Sequence, residues 1–404
     1  MTAIVGVLNK HAVAIAADSA VTLGGGKKVM NVANKLFTLS KHHPVAIAIY
    51  GNAEFISTPW EIIIKEYRKK LGEKSFPHLK GYIDDFLKFL KNKKYFCTNS
   101  EANMDTAASI YLLFKTIIDV SDGDSVKLNR ALDNLEKKNS QDLLGGFTKE
   151  TVDGLNKIAE QLLQDILKEL QDKGANIEEA RLRAIIETVF TKDICHTRKS
   201  GLVFSGFGEK DLFPSIYNCT IGGVINNRLA KKIKKETEIS KSKGSDICPF
   251  AQTDVMKTIL EGVAPKIQKI YLSSMEKTFL KFTEILANAV EPKDKTLSTA
   301  IKNLKIDAFK TMFLSTSRMT QKEEYTDPLV ESVASLEKED LADFAESLIR
   351  LTSLKRRISM DQDTVGGPID VMVISKGDGI IWMKRKHYFD PNLNHQFFDN
   401  YFNP

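Results

Sequence analysis

A threonine stands at position 2, directly behind Met1. A threonine hydroxyl is a weak nucleophile until a base sits beside it, and a terminal α-amine, with an ordinary pKa of about 7.7–8.0, can accept a proton near neutral pH. Threonine is small enough for ordinary methionine aminopeptidase to remove Met1, so hydroxyl and amine can come to belong to one residue without a long propeptide. Other constellations fail on spacing. Gly24-Gly25-Gly26-Lys27-Lys28 lacks the first glycine and the Ser/Thr of a phosphate loop and reads as a mobile turn. Asp122-Gly123-Asp124-Ser125 lacks the ligand ladder and distal glutamate of a calcium loop. Cys195 and His196 are adjacent, so on a strand they point apart, a buried thiol beside a surface imidazole. The four cysteines, Cys97, Cys195, Cys219 and Cys248, never form a C-x-x-C pair, which suits free thiols in a reducing compartment and predicts no zinc site. No metal or cofactor is expected.

Composition narrows the class further. The 404 residues are 42% hydrophobic and 27% charged, enough apolar material for a sizeable core. Lys plus Arg exceed Asp plus Glu by 58 to 52, a net charge of +6 spread too thinly to imply nucleic acid. The short clusters Lys231-Lys232-Ile233-Lys234-Lys235 and Lys355-Arg356-Arg357 read as solvated faces. No apolar run approaches the roughly 20 residues of a membrane helix, and the N-terminus lacks the basic segment and cleavage site of a signal peptide, so a soluble cytoplasmic protein is expected.

A nucleophile at a chain terminus needs a rigid element to hold it, and the first fifty residues read as strands. Residues 2–8 and 12–17 are joined by Asn9-Lys10-His11, and residues 35–40 and 45–50 by Lys41-His42-His43-Pro44. The runs AVAIAA and VAIAIY are apolar at every position, the pattern of strands covered on both faces. From Asn52 the period turns helical, and Thr58-Pro59-Trp60-Glu61 has the form of a capping box starting a helix near Thr58; a start after Gly51 with a kink at Pro59 is the alternative. Residues 79–90 and most of 105–189 read helical, with breaks near 121–125 and 145–146. Strands return at 201–208 and 215–229, the Lys/Ser/Gly-rich stretch 231–245 reads as an exposed loop, and helices follow at 250–286 and 338–354 around a poorly periodic polar zone, 291–328. Two closing strands, 369–375 and 379–384, flank the hairpin signal Lys376-Gly377-Asp378. The order predicts an α+β fold in which two antiparallel sheets stack with helices outside them, a single domain over 1–404 carrying helical insertions.

The segment TAIVGVLNKHAVAIAADSAVTLGGGKKVMNVANKLFTL resembles the start of proteasome β-type subunits and of the bacterial proteasome-like peptidase HslV, which are N-terminal nucleophile (Ntn) hydrolases. The resemblance implies an αββα four-layer sandwich, with a nucleophile at Thr2 opening the first strand, Asp18 ending the second and Lys35 on the next, at a spacing one residue longer than in the family. In those roles Lys35 would favour the alkoxide and Asp18 would hold the ammonium in place. AIYGNAEF is similar to the family's substrate-binding strand, which implies substrate contacts at Ile49 and Gly51 and an oxyanion donor in the backbone near Gly51. SGLVFSGFGEKDLFPSIYNCTIGG is similar to its middle hairpin and TVGGPIDVMVISKGDGIIWMK to its closing strands. The family's Asp-x-x-Ser-Gly run corresponds to Asp361 through Gly367, implying a role for Asp363 with Val365 or Gly366 where the serine should be, and its Gly-Ser-Gly element corresponds to Gly244-Ser245-Asp246, implying Ser245. Residues 76–198 and 264–350 exceed anything in a standard β-type subunit and are expected to be insertions, and the aromatic tail 388–404 is expected to dock.

What this implies is a threonine hydrolase that cleaves an amide bond, a peptide above all, through an acyl-enzyme at Thr2, with no metal or cofactor. It also implies a homo-oligomeric ring, a peptide or protein substrate, and an unfoldase or adaptor as partner. A small-molecule amidase is a variant of the same chemistry. The alternative from a different class is a catalytically silent scaffold whose helical insertions bind a partner protein.

Overall fold

The computed structural model describes residues 2–402 apart from 24–27, 31, 92–96, 138–141, 176, 195–197, 305, 360–364 and 388. The glycine turn at 24–27, the Cys195-His196 pair and Asp363 lie outside the described residues.

The strands are β1 (Ala3–Asn9), β2 (Ala12–Ala17), β3 (Val21–Leu23), β4 (Lys28–Met30), β5 (Leu36–Thr38), β6 (Val45–Gly51), β7 (Glu54–Phe55), β8 (Thr58–Pro59), β9 (Ser200–Gly206), β10 (Ser215–Ile225), β11 (Arg228–Glu238), β12 (Ser245–Ala251), β13 (Asp370–Ser375) and β14 (Gly379–Lys384). The α-helices are α1 (Trp60–Leu71), α2 (Leu79–Lys91), α3 (Asn99–Ser121), α4 (Ser125–Glu136), α5 (Lys149–Asp172), α6 (Glu179–Thr191), α7 (Asp254–Glu261), α8 (Pro265–Val290), α9 (Lys295–Lys302), α10 (Ile306–Gln321), α11 (Asp327–Val333), α12 (Lys338–Ile358) and α13 (His395–Phe402).

Every residue of β1 and β2 is buried, as their apolar sequences require, and the reason is that both faces of their sheet are covered. Val5, Val7, Ala14 and Ala16 face outward onto Met256 of α7 and Leu341, Ala345 and Leu348 of α12. Ile4, Leu8, Val13 and Ile15 face inward onto Ala46, Ala48, Val203 and Ile216. These inner partners belong to a second sheet, whose other face packs Ile47, Leu202 and Phe204 against Trp60, Ile63 and Tyr67 of α1 and Tyr82 and Phe86 of α2. The first sheet has the order β12-β1-β2-β13-β14 and the second β11-β10-β9-β6-β5, with every adjacent pair of strands antiparallel. Helix, sheet, sheet and helix make the αββα sandwich that the two-sided strands predict.

The helical run after α2 is a body of its own. Helices α3 to α6 bury Phe114, Leu128, Leu163, Ile186 and Phe190 among themselves and dock on Ile225 and Ala230 near the tip of the β10–β11 hairpin. By contrast α2 belongs to the helical layer over the second sheet, alongside α1. Helices α8 and α10 differ again: α8 buries only Thr283 and Ala287, α10 buries nothing, and Ile270, Tyr271, Phe282, Ile285, Met312 and Phe313 are exposed. Among the described residues no helix is long and apolar enough to cross a membrane.

Four local expectations are corrected. The stretch 231–245 is a loop only over 239–244: Lys231, Lys232, Lys234 and Lys235 lie on β11, the outermost strand of its sheet. Lysine on an edge strand deters pairing with other chains, so charge there is compatible with strand. Residues 245–251 form strand β12 where the 250–286 helix was expected to begin; Pro249 is tolerated because β12 is the outer strand of its sheet. The polar zone 291–328 contains α9 and α10, whose apolar residues, among them Leu297, Phe309, Met312 and Phe313, stay exposed instead of packing into a core. Helix α1 begins at Trp60 without a side-chain cap, because Thr58 and Pro59 pair with β7 instead.

The aromatic tail folds back on its own chain. Phe389, Phe397 and Phe398 form a cluster of rings with centroids 4.8 to 6.3 Å apart, and His387 joins it. Together with Trp382 and Arg385, the residues His387, Phe397 and Phe398 line an open groove of about 1050 Å³ beside the edge strands β5 and β14.

The closest approach of the two sheets sets a testable limit. A Cβ on Gly6 would lie 2.4 Å from Cδ1 of Ile216 on the facing sheet. Gly6→Ala should therefore destabilise the fold by about 1–3 kcal/mol through overpacking. Adding Ile216→Val removes the clashing methyl, so urea denaturation should show the double variant more stable than Gly6→Ala alone.

Candidate active site

Antiparallel pairing of β1 with β2 runs Ile4 against Ala17, so the start of β1 and the end of β2 meet at one end of the sandwich. Thr2 and Asp18 are thereby neighbours, sixteen positions apart in sequence. The Ala3 amide donates to Asp18 Oδ1 at 2.9 Å, and the Asp18 amide donates to the Ala3 carbonyl at 3.2 Å. On the other side of Thr2, its carbonyl accepts from the Gln252 amide at 3.1 Å, just beyond the end of β12. Thr2 is 8% exposed, held from both flanks.

Lys35 enters from the second sheet. It precedes β5, where its carbonyl accepts from the Ile49 amide at 2.9 Å, and its ammonium donates to Asp18 Oδ1 at 2.7 Å and to the Ala20 carbonyl at 2.5 Å. The side chains are 4% exposed for Lys35 and fully buried for Asp18. Asp18 is saturated: Oδ1 takes Ala3 N–H and Lys35, while Oδ2 takes the amides of Ala20 and Gly366, each at 3.2 Å. Burial drives the pKa of Lys35 below the usual lysine value, and the adjacent Asp18 carboxylate works against that fall. The arrangement holds the Lys35 ammonium on the same buried carboxylate oxygen that binds the amide next to Thr2.

The other expected positions divide. Gly51 ends β6 at the same end of its strand as the Ile49–Lys35 contact, with φ +82° and with the Lys199 carbonyl 2.7 Å from where a Cβ would stand. Glycine is required there by the backbone itself. Ile49 is 7% exposed and belongs to the cluster between the second sheet and α1 and α2. Ser245 does not join the site. It pairs with Asn9 at the far end of β1, six residues along from the Ala3–Ala251 pair, roughly 20 Å away, and its hydroxyl donates to the Val330 carbonyl at 2.5 Å. The strand β12, unforeseen from sequence, separates the Gly-Ser-Asp motif from the helix it was expected to precede. Ala251, with φ +62°, and Gln252 occupy the place beside Thr2 instead.

Asp363 lies outside the described residues, but its neighbour Gly366 reaches the site through the backbone, accepting from the Ser19 amide at 3.1 Å while donating to Asp18. Sequence reasoning missed Gln252 and Ser19, whose hydroxyl donates to the Pro368 carbonyl at 2.5 Å. Both act here through backbone or local contacts, which leave no residue-type signal.

Asp18 keeps three backbone donors if the lysine is lost, whereas Lys35 without Asp18 keeps only the Ala20 carbonyl. Asp18→Ala should therefore cost about 3–5 kcal/mol, the scale for a buried charge left unpaired. Lys35→Met should cost less, and urea titration of both variants at neutral pH checks the order.

No family model matches the chain, and no curated protein matches it. Among solved structures it is similar to the helical assembly of the Anbu complex from Pseudomonas aeruginosa, at 8% identity and a TM-score of 0.30, over 99% of this chain and 93% of that one. It is also similar to an Anbu Gly-1 mutant from Hyphomicrobium sp. strain MC1, at 9% identity and a TM-score of 0.30, over 99% and 94% of the two chains. A third similar structure is Anbu, described as an ancestral beta-subunit, from Yersinia bercovieri, at 9% identity and a TM-score of 0.26, over 99% and 94%.

Proposed function

We propose that this protein is a threonine Ntn hydrolase that cleaves amide bonds, peptide bonds first among them, at Thr2 after loss of Met1. The observation that supports this reading most is the shared Asp18 oxygen, which binds the Lys35 ammonium and the amide next to Thr2 together. In the proposed reaction Thr2 Oγ attacks the substrate carbonyl carbon while the freed Thr2 amine accepts the hydroxyl proton. The tetrahedral intermediate collapses to an ester on Thr2, the departing amine takes the proton, and water then hydrolyses the ester. Lys35 favours the oxyanionic form of the threonine, Asp18 orients Lys35, and a backbone N–H near Gly51 serves the carbonyl oxygen. Asp363 remains part of the proposal as an auxiliary group, and Ile49 as part of the wall beside Gly51. Homo-oligomerisation in rings and delivery of protein substrates by an unfoldase or adaptor belong to the same reading.

A silent scaffold is the second reading, and one observation favours it. Exposed Ile270, Tyr271, Phe282 and Phe313 on α8 and α10 give a helical surface of the kind that partner proteins cover.

Intact mass of the purified protein should show loss of one methionine. The processed protein should then be labelled at Thr2 by a peptide epoxyketone or vinyl sulfone, with labelling abolished in Thr2→Ala and Lys35→Ala and weakened in Asp18→Asn. Processed protein that neither reacts nor hydrolyses diverse peptides favours the scaffold.

The pH dependence follows from two titrations. Hydrolysis should rise as the Thr2 amine loses its proton, near the ordinary range of about 7.7–8.0 or below it because of the nearby cation. It should fall again as Lys35 deprotonates, below the usual 10.5 because burial depresses that group. For stability the sign is opposite on the alkaline side. The unfolded chain binds the Lys35 proton more tightly, so the burial penalty is present in full below the folded pKa and relieved as pH rises towards 10.5. Rate profiles and urea titrations across alkaline pH separate the two effects.

A further inference from the structure

One strand further from Thr2 lies a second buried ion pair that the mechanism above does not use. Asp370 opens β13 and stands in register with Ala17, the residue before Asp18. Its carboxylate accepts the Lys386 amide on Oδ1 at 2.9 Å and the Lys386 ammonium on Oδ2. The two side chains are 6% and 11% exposed, so this is no surface contact. A cavity of about 190 Å³ is lined by Asn34 and Leu36, which flank Lys35, and by Asp370, Lys386 and Pro368, with Phe389 and Phe397 of the aromatic tail closing it.

We propose that Asp370 and Lys386 are a positioning pair, which anchors the C-terminal segment beside the candidate site and sets the electrostatic balance around Lys35. One residue supplies both contacts, through its backbone and its side chain, and so ties the start of the tail to the strand neighbouring Asp18. The pair presents a carboxylate and an ammonium to Lys35 with opposite influence: the ammonium opposes the Lys35 charge and the carboxylate favours it. Asp18 is the other charged group facing Lys35, together with the Thr2 amine once Met1 is gone. The remaining charges around the cavity are engaged elsewhere. Lys65 pairs with Glu61 on α1, Arg68 donates to Thr38 Oγ1 at 2.6 Å, and Arg385 lies over the Trp382 ring. His387 packs on Phe389 and Phe398.

A clamp that only held the tail would leave Lys35 unchanged, or disturb it alike whichever partner were removed. A charge pair predicts opposite responses. The test is a carbon-13 NMR titration of the Lys35 side chain in the full-length protein, with the resonance assigned by its loss in Lys35→Arg. Asp370→Asn should move the Lys35 titration midpoint down, and Lys386→Met should move it up. Lys386→Arg should leave it near its native position. Should a single variant fail to fold, Asp370→Asn/Lys386→Met removes both charges together, and the midpoint should then move by less than in the single variants. Midpoints that stay put, or that shift the same way in both single variants, overturn the proposal, as does a double variant whose midpoint moves further than those of the single variants. The effect on catalysis rests on the hydrolase reading, and there the alkaline limb of the rate profile should follow the NMR midpoint. Opposite NMR shifts in a protein without hydrolytic activity would sink that reading and leave the positioning pair standing.

Discussion

A buried carboxylate is intolerable without partners, and the architecture of this molecule is arranged around satisfying one. Asp18 has no access to solvent, so each of its oxygens must be met by donors from the protein. Those donors come from the start of β1, from the residue two places on, from the approach to β5 in the facing sheet, and from the segment that leads into β13. One side chain thus gathers both sheets and the chain's late return to the N-terminal hairpin. Thr2 is fixed as a by-product, because its neighbour Ala3 supplies one of the donors.

The same burial gives the site its electrical character. Lys35 is deep enough that its charge is sustained chiefly by Asp18, and any change of charge nearby acts with little screening. Two of the cysteines are quiet: burial pushes the Cys219 thiol up to about 12 and Cys248 higher still, so neither offers a thiolate at neutral pH.

Around this framework the chain adds helices in two different ways. Helices α3 to α6 have their own core and meet the sandwich at the end of a hairpin and through Ala102 of α3. Helices α8 to α10 have little core and keep apolar side chains in solvent, an arrangement that contributes little to the stability of the isolated chain. Neither addition contributes a hydrogen bond to Asp18, whose donors come from the strand framework and its connecting segments.

The strands covered on both faces were legible because apolar residues at every position have only one stable destination, and AVAIAA and VAIAIY carry that pattern without help from context. Thr2 stood out by residue type, whereas Asp18 and Lys35 were singled out through the resemblance to the Ntn family, and it is the fold that sets Lys35 and the amide next to Thr2 on one Asp18 oxygen. Strands β11 and β12 were not legible, because an edge strand satisfies only one neighbour and tolerates lysine and proline that read locally as loop. That misreading carried Ser245 into the site on paper, while pairing with Asn9 holds it at the far end of the sheet. The roles of Gln252 and Gly366 were invisible for another reason: they act through backbone amides, which every residue except proline possesses. Local sequence could determine which segments must be buried and which side chains could react. Register decided which of them meet, because the partner of a strand is chosen by contacts hundreds of residues away.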